Sequence, residues 1–262
     1  MKPGVWIPVL LCSGSLASGL WAQDIEHTSR DRTATTPETG PNEFGSVQGV
    51  VTFRGEIPRS QIADDAGLRR ELLEVDRDTH GLRYVVAFLT PLNATSNQAA
   101  AVSQGSPAKP RITVDQQDYA FLPRVVAVRQ SEPVTFTNSD PANHNVRTSS
   151  AAAPNEFNVF TGASGKYEHR FVADPQHRPI QLGCDIHPWM RGWIYVFDHP
   201  HFAVTDKRGA FRIGSVPPGE YKLMLRQPDI RYTHEQKITV STKQATKAQI
   251  EVRAESLPKP KE

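Results

Sequence analysis

The stretch Cys184-Asp185-Ile186-His187-Pro188-Trp189-Met190-Arg191-Gly192-Trp193-Ile194-Tyr195-Val196-Phe197 carries two signals in one run. Its second half, residues 193–197, is aromatic and β-branched, the composition of a buried strand. Its first half sets a thiol, an imidazole and a thioether within seven residues. One Cys, two His and a weak axial Met form the donor set of a blue-copper centre. The run holds three of those four.

A fourth donor is offered about forty residues upstream. Phe136-Thr137-Asn138-Ser139-Asp140-Pro141-Ala142-Asn143-His144-Asn145-Val146 runs from an expected strand into a polar loop with one histidine. His144, Cys184 and His187 would supply the trigonal donors and Met190 the axial one, provided a β scaffold brings His144 to the Cys184 loop. A structural zinc site fits less well, because it prefers four good Cys or His donors and no Met. Asp185 could replace Met190 as a donor, but on so tight a loop it should point away. His199-Pro200-His201 reads as a surface or strand-edge pair, and His27, His80, His169, His177 and His234 read as surface residues.

Outward from this run the pattern is β. Residues 112–114, 125–128, 134–137, 167–172 and 179–182 alternate or run apolar between turn residues, as do 221–225, 236–240 and 247–252. Short strands at this spacing predict an all-β protein built of sandwiches or Greek-key barrels. Residues 47–55 read as a strand ending in a turn, and Arg83-Tyr84-Val85-Val86-Ala87-Phe88-Leu89-Thr90 as a buried strand. Between them, Leu68, Leu72 and Val75 fall on one helical face, which predicts one short helix over 63–78. Asp206-Lys207-Arg208-Gly209 and Pro217-Pro218-Gly219 are turn chemistry. Residues 91–110 read as a linker, with Asn93-Ala94-Thr95 a weak match to a glycosylation sequon.

Composition narrows the function classes. At 262 residues the chain can bury one large core or two small ones. Its 30 basic and 28 acidic residues nearly cancel, so no strong field recruits nucleic acid. The first 22 residues order a charge, an apolar run and small residues as a secretory signal peptide does. Residues 23–45 read as a flexible lead-in, and no segment of the mature chain is long enough to span a bilayer. There are two cysteines, and Cys12 would leave with the signal peptide. Cys184 is then the sole thiol of an exported chain: either a buried inert residue or a metal ligand. No phosphate loop, nucleophile elbow or His-Glu-x-x-His is present, nor the His-x-His pairs of an oxygen-reducing copper cluster, so no enzyme is expected.

Residues 114–197 resemble a cupredoxin, most closely of the amicyanin and plastocyanin branch. Cys184, His187, Pro188, Met190, Arg191 and Gly192 match the amicyanin-type Cys-x2-His-Pro-x-Met loop and the basic and glycine residues after it. His144-Asn145-Val146 matches the upstream ligand motif. The resemblance implies one type 1 copper per chain on His144, Cys184, His187 and Met190. It implies that Asn145 braces the ligand loops, the alternative being a simple turn residue. Pro188 and Trp189 would line a docking surface for a redox partner, or Trp189 would only pack the loop. A second resemblance, to the carboxypeptidase regulatory-like, transthyretin-type sandwich, rests on Thr-Asp-x-x-Gly-x-Phe and Pro-Pro-Gly-x-Tyr-x-Leu within 205–223, with a Gly-rich strand at 45–55. It implies a sandwich made of residues 46–91 and 199–253, with a cupredoxin domain at 110–198 inserted into it or following it in series, and a tail at 254–262. Together these imply a periplasmic or secreted carrier of single electrons between a protein donor and acceptor. The alternatives are a copper-sequestering module without a redox partner, or a metal-free structural or carbohydrate-binding protein.

Overall fold

The structure is a computed structural model that describes residues 44–92 and 111–258. The expected signal peptide, almost all of the lead-in, the linker with its sequon, Cys12, His27 and the last residues of the tail lie outside the described residues. The strands, in chain order, are β1 (Gly45–Arg54), β2 (Arg59–Ala63), β3 (Arg69–Glu71), β4 (Val86–Pro91), β5 (Ile112–Gln117) and β6 (Ala120–Leu122). Next come β7 (Val125–Arg129), β8 (Pro133–Asn138), β9 (His144–Ser149), β10 (Asn158–Thr161), β11 (Lys166–Arg170) and β12 (Ile180–Gly183). The last are β13 (Arg191–Phe197), β14 (Phe202–Val204), β15 (Ala210–Val216), β16 (Gly219–Gln227), β17 (Tyr232–Val240) and β18 (Ala245–Arg253). The protein is all-β. Among the described residues helix is limited to single 3₁₀ turns at Ala153–Asn155 and Ala254–Ser256, and none is long and apolar enough to cross a membrane.

Four sheets enclose three cores. A five-stranded sheet, β10-β9-β12-β13-β7, faces a four-stranded sheet, β11-β8-β5-β6. Val114, Phe136, Val146, Leu182 and Ile194 fill the space between them. A second pair of sheets, β15-β1-β18 and β14-β4-β16-β17, draws on both ends of the described chain. Val47, Val51, Leu89, Ile213, Leu223 and Val252 lie between those two. The third core joins the pairs: Val86 and Phe88 of β4 meet Val125 and Ala127 of β7, Tyr195 and Phe197 of β13 and Phe202 of β14.

The third core explains why two runs of sequence are apolar without interruption. On β13, Ile194 and Val196 enter one core while Tyr195 and Phe197 enter the next. On β4, Ala87 and Leu89 face one core while Val86 and Phe88 face the other. Successive side chains on a strand point to opposite faces, so a strand covered on both sides has no position left for a polar residue.

The helix expected over 63–78 does not form. Asp64 instead closes a turn, its Oδ1 accepting from the N–H groups of Ala66 at 3.1 Å and Leu68 at 2.9 Å. Gly67 adopts φ +76° beside it, and the flanking residues pair as β2 and β3. Local side-chain-to-backbone bonds of this kind compete directly with helical ones. Leu68, one of the three residues of the apparent helical stripe, is 65% exposed, whereas Leu73 is buried. The glycine of the Asp206–Gly209 turn behaves as its motif requires, at φ +74°, with Val51 O 2.1 Å from where a Cβ would stand.

Four of the histidines expected at the surface or a strand edge are drawn inward. His201 is buried, and His177 packs its ring against Phe88 at 5.2 Å and Phe197 at 5.1 Å. His199 lies beside Phe197 at 5.3 Å. His169 sits between Phe157 at 4.7 Å and Phe171 at 4.6 Å. Aromatic faces at the ends of two cores supply apolar cover that single-residue polarity does not reveal. Burial pushes the His199 imidazole down to about 4, and the charges of His201 and His177 add to the effect. A histidine with a depressed folded value favours the folded state above its unfolded value, about 6.5, and loses that contribution as pH falls toward 4. Stability should therefore drop between pH 6.5 and 4 by up to about 3 kcal/mol on this account. Denaturant unfolding at stepped pH should show this drop in the parent and a flatter profile in His199→Gln; equal slopes would refute it.

Candidate metal centre

The seven residues 184–190 form the whole loop of the β12–β13 hairpin, closed by the antiparallel pair Gly183 and Arg191. Met190 N–H donates to His187 O at 2.9 Å, which tightens the loop. β9 pairs with β12 on its other side, Thr148 opposite Leu182 and Arg147 opposite Gly183. His144, expected in a loop, is in fact the first residue of β9, so that pairing delivers it to the open end of the hairpin.

There His144, Cys184 and His187 converge, and among the described residues they alone form a group of three such donors able to hold a metal. The Nδ1 atoms of the two histidines are 2.9 Å apart. Cys184 Sγ lies 3.9 Å from His144 Nδ1 and 3.8 Å from His187 Nδ1. A point equidistant from all three atoms of that triangle is about 2.1 Å from each, close to ordinary metal–nitrogen and metal–sulfur bond lengths. The residues fit a small soft-accepting ion. Met190 is 1% exposed and shares the core of Cys184. Asp185 points away, as expected, and pairs with Arg147 at 2.6 Å.

Asn145 is more than a turn residue. Its Oδ1 accepts from Asp185 N–H at 2.7 Å and from the Cys184 thiol at 3.3 Å, while its Nδ2 donates to Asn158 at 2.7 Å and Asp185 at 3.0 Å. One side chain thus ties β9 to β10 and to the loop carrying the thiol. Asn158 donates to Asp185, and this bond, with those from Arg147 and Asn145, outweighs the opposing effect of burial and holds the Asp185 carboxyl below its usual range.

Two residues that the sequence reading passed over stand beside the histidines. Asp140 Oδ2 is 2.8 Å from His144 Nε2, on the side of the ring away from Cys184. Burial pushes this carboxyl up, but bonds from Tyr119 N–H, the His144 ring and Asp118 N–H outweigh it and hold Asp140 below its usual range. The Asp-x-x-x-His spacing on a polar loop was the available signal. The other is Tyr119, whose ring stands edge-on to His144 at 5.6 Å and to His187 at 5.0 Å. Asp118 and Tyr119 form the two-residue turn between β5 and β6, both at positive φ, +52° and +55°. Non-glycine residues there cost of order 1 kcal/mol each, a cost that persists where surrounding structure overrides it. Nothing in the local sequence signals that turn's role.

The His187 edge is only partly covered. Tyr119, Ile186 and Pro188 are exposed around it. Trp189 lies partly buried against the core, its ring 5.2 Å from that of His187 and its indole N–H turned inward. Its geometry matches the packing alternative. Burial lowers the His187 imidazole, as does the charge of His144, while Asp65 and Asp140 act in the opposite sense.

No family model matches the chain, and no curated protein does. Its neighbours among solved structures are cupredoxins. A Cu-containing nitrite reductase (NirK) from Thermus scotoductus SA-01 is similar at 23% identity over 36% of this chain and 24% of its own, with a TM-score of 0.30. An oxidized mutant of amicyanin is similar at 22% identity over 33% of this chain and 82% of its own, TM-score 0.28. A purple cupredoxin from Nitrosopumilus maritimus is similar at 19% identity over 33% of this chain and 99% of its own, TM-score 0.28. This chain spans about a quarter of the nitrite reductase, and all three likenesses are confined to about a third of it.

Replacing Asn145 by Ala would leave Asp185 N–H without its partner and remove one tie between the thiol loop and β9, that of Arg147 to Asp185 remaining. We expect a loss of about 1–3 kcal/mol in denaturant unfolding. Cu(I) affinity, read by competition with a chromophoric chelator, should fall about 10–100-fold; unchanged affinity would show that Asn145 does not brace the site.

Proposed function

We propose that the protein is an exported type 1 copper protein that carries single electrons. The reading is carried by one observation: a buried thiol and two imidazole Nδ1 atoms converge on a point at metal-bonding distance from each. Copper bound there would supply the one-electron couple. Cys184 would bind as the thiolate, His144 and His187 through Nδ1, and Met190 as a weak axial donor. The hydrogen bonds that hold Asn145, Asp185 and Asp140 would keep the donors in place through both oxidation states, which limits rearrangement on electron transfer.

The remaining assignments belong to the same reading. Signal-peptide removal would place the mature chain in the periplasm or outside the cell, with Cys184 as its sole thiol. A protein donor and acceptor would approach the exposed edge of His187, and no catalytic role is assigned. Strands from 45–91 and 202–253 pair with each other while 112–197 pair among themselves. That pattern supports a copper domain inserted into a regulatory-like sandwich, whose role is binding or structural.

Adding Cu(II) to the purified mature protein should produce an intense thiolate-to-copper absorption band in the visible range. Cys184→Ser should abolish it; a colourless parent, or a variant that stays blue, defeats the type 1 assignment. A blue protein that no redox protein can reduce or reoxidise would favour sequestration. Met190→Leu should keep copper and raise the midpoint potential, because losing a donor disfavours Cu(II) more than Cu(I). An unmoved potential would remove Met190 from the donor set.

A further inference from the structure

His144 is gripped on both ring nitrogens. Nδ1 faces the thiol and the second imidazole, and Nε2 faces Asp140 Oδ2 at 2.8 Å. With the carboxylate ionised, Nε2 must carry the shared proton, which leaves the Nδ1 lone pair for a metal. Asp140 is 6% exposed and His144 fully buried. The other partners of that carboxylate are backbone N–H groups, Asp118 at 2.7 Å on Oδ1 and Tyr119 at 3.0 Å on Oδ2. Among the described residues no lysine or arginine pairs with it. An uncompensated negative charge therefore sits one imidazole ring away from the donor triangle, in a poorly screening environment.

We propose that Asp140 is a positioning and tuning residue that lowers the reduction potential of the site through His144; this rests on the copper reading above. Two effects act in the same direction. A carboxylate accepting the Nε2 proton makes the opposite nitrogen more basic and a better donor to the more highly charged ion. Its own charge also favours Cu(II) over Cu(I), since the oxidised ion carries one more positive charge. No proton or atom is transferred in this role. The same carboxylate holds the two N–H groups of the Asp118–Tyr119 turn, so it also sets where the Tyr119 ring stands against His144 and His187.

The test compares copper-loaded parent, Asp140→Asn and Asp65→Asn by spectroelectrochemical titration. Asp65→Asn removes a carboxylate whose field reaches His187 without any bond to a ligand. Asp140→Asn should stay blue while its Cu(II)-to-Cu(I) affinity ratio falls about tenfold, an upward potential shift of about 59 mV. Asp65→Asn should shift less. A potential in Asp140→Asn that is unmoved, or moved no more than in Asp65→Asn, overturns the proposal while leaving the copper reading intact. A parent that takes up no copper overturns both. Should Asp140→Asn fail to fold, NMR of the parent in its Cu(I) form decides. The His144 Nε2 proton should exchange far more slowly than that of His187, and equal exchange rates overturn the proposal.

Discussion

The pairing of β9 with β12 is the constraint on which the candidate centre rests. His144 opens one strand, Cys184 follows the end of the other, and forty residues separate them in sequence. Their approach is set by the register that puts Arg147 opposite Gly183. Shifting it by one residue would turn the fully buried Val146 outward and carry His144 away from the thiol together with it. The register is thus enforced by the apolar core, and the donors inherit its precision.

Polar bonding completes what the core begins. Beneath His144 lies a set of buried polar side chains: Gln116 donates to Asn145 O at 3.1 Å and accepts from Thr161 at 2.6 Å. Asn138 donates to Ala142 O and Thr161 O, and its Oδ1 accepts from Asp140 N–H. Buried polar groups are tolerated only when such bonds are made, and a satisfied network permits few alternative arrangements. The loop that delivers Asp140 is held rigid by this network. Asn145 does the same for the loop that delivers the thiol. Together they account for donors that stand ready at bonding distance from one point.

The seam between the two pairs of sheets has a different character. It is made of Tyr84, Val86, Phe88, Tyr195, Phe197 and Phe202, with Arg124 bonding across to Leu72 O at 2.7 Å and Asp229 at 3.3 Å. A core of aromatic rings resists sliding, because each large ring needs a shaped cavity opposite it. β13 contributes to this seam with one face and to the core under the candidate centre with the other. The second sandwich is therefore mechanically continuous with the strand that follows Met190.

The amino-acid sequence by itself determined the all-β class, the strands that are apolar on both faces, the donor types and the spacing of Cys184, His187 and Met190 on one tight loop. Those features are local: alternation, turn chemistry and donor softness are properties of neighbouring residues. It misread residues 63–78, where a helical stripe of three residues was outcompeted by the Asp64 side chain bonding to its own turn. It also left His169, His177, His199 and His201 at the surface: His177 is covered by Phe88 and Phe197 and His169 by Phe157 from other segments, while Phe171 and Phe197 stand only two residues from His169 and His199 and cover them through the way the chain folds there. Asp140 was within the quoted motif, yet its bond to His144 depends on where β8 hands over to β9. Tyr119 was invisible altogether, since it reaches the histidines through a turn whose backbone is held by Asp140. What only the tertiary structure decided is which atoms meet across strands, and the reason is physical: those meetings are set by register and by buried hydrogen bonds, neither of which a single segment encodes.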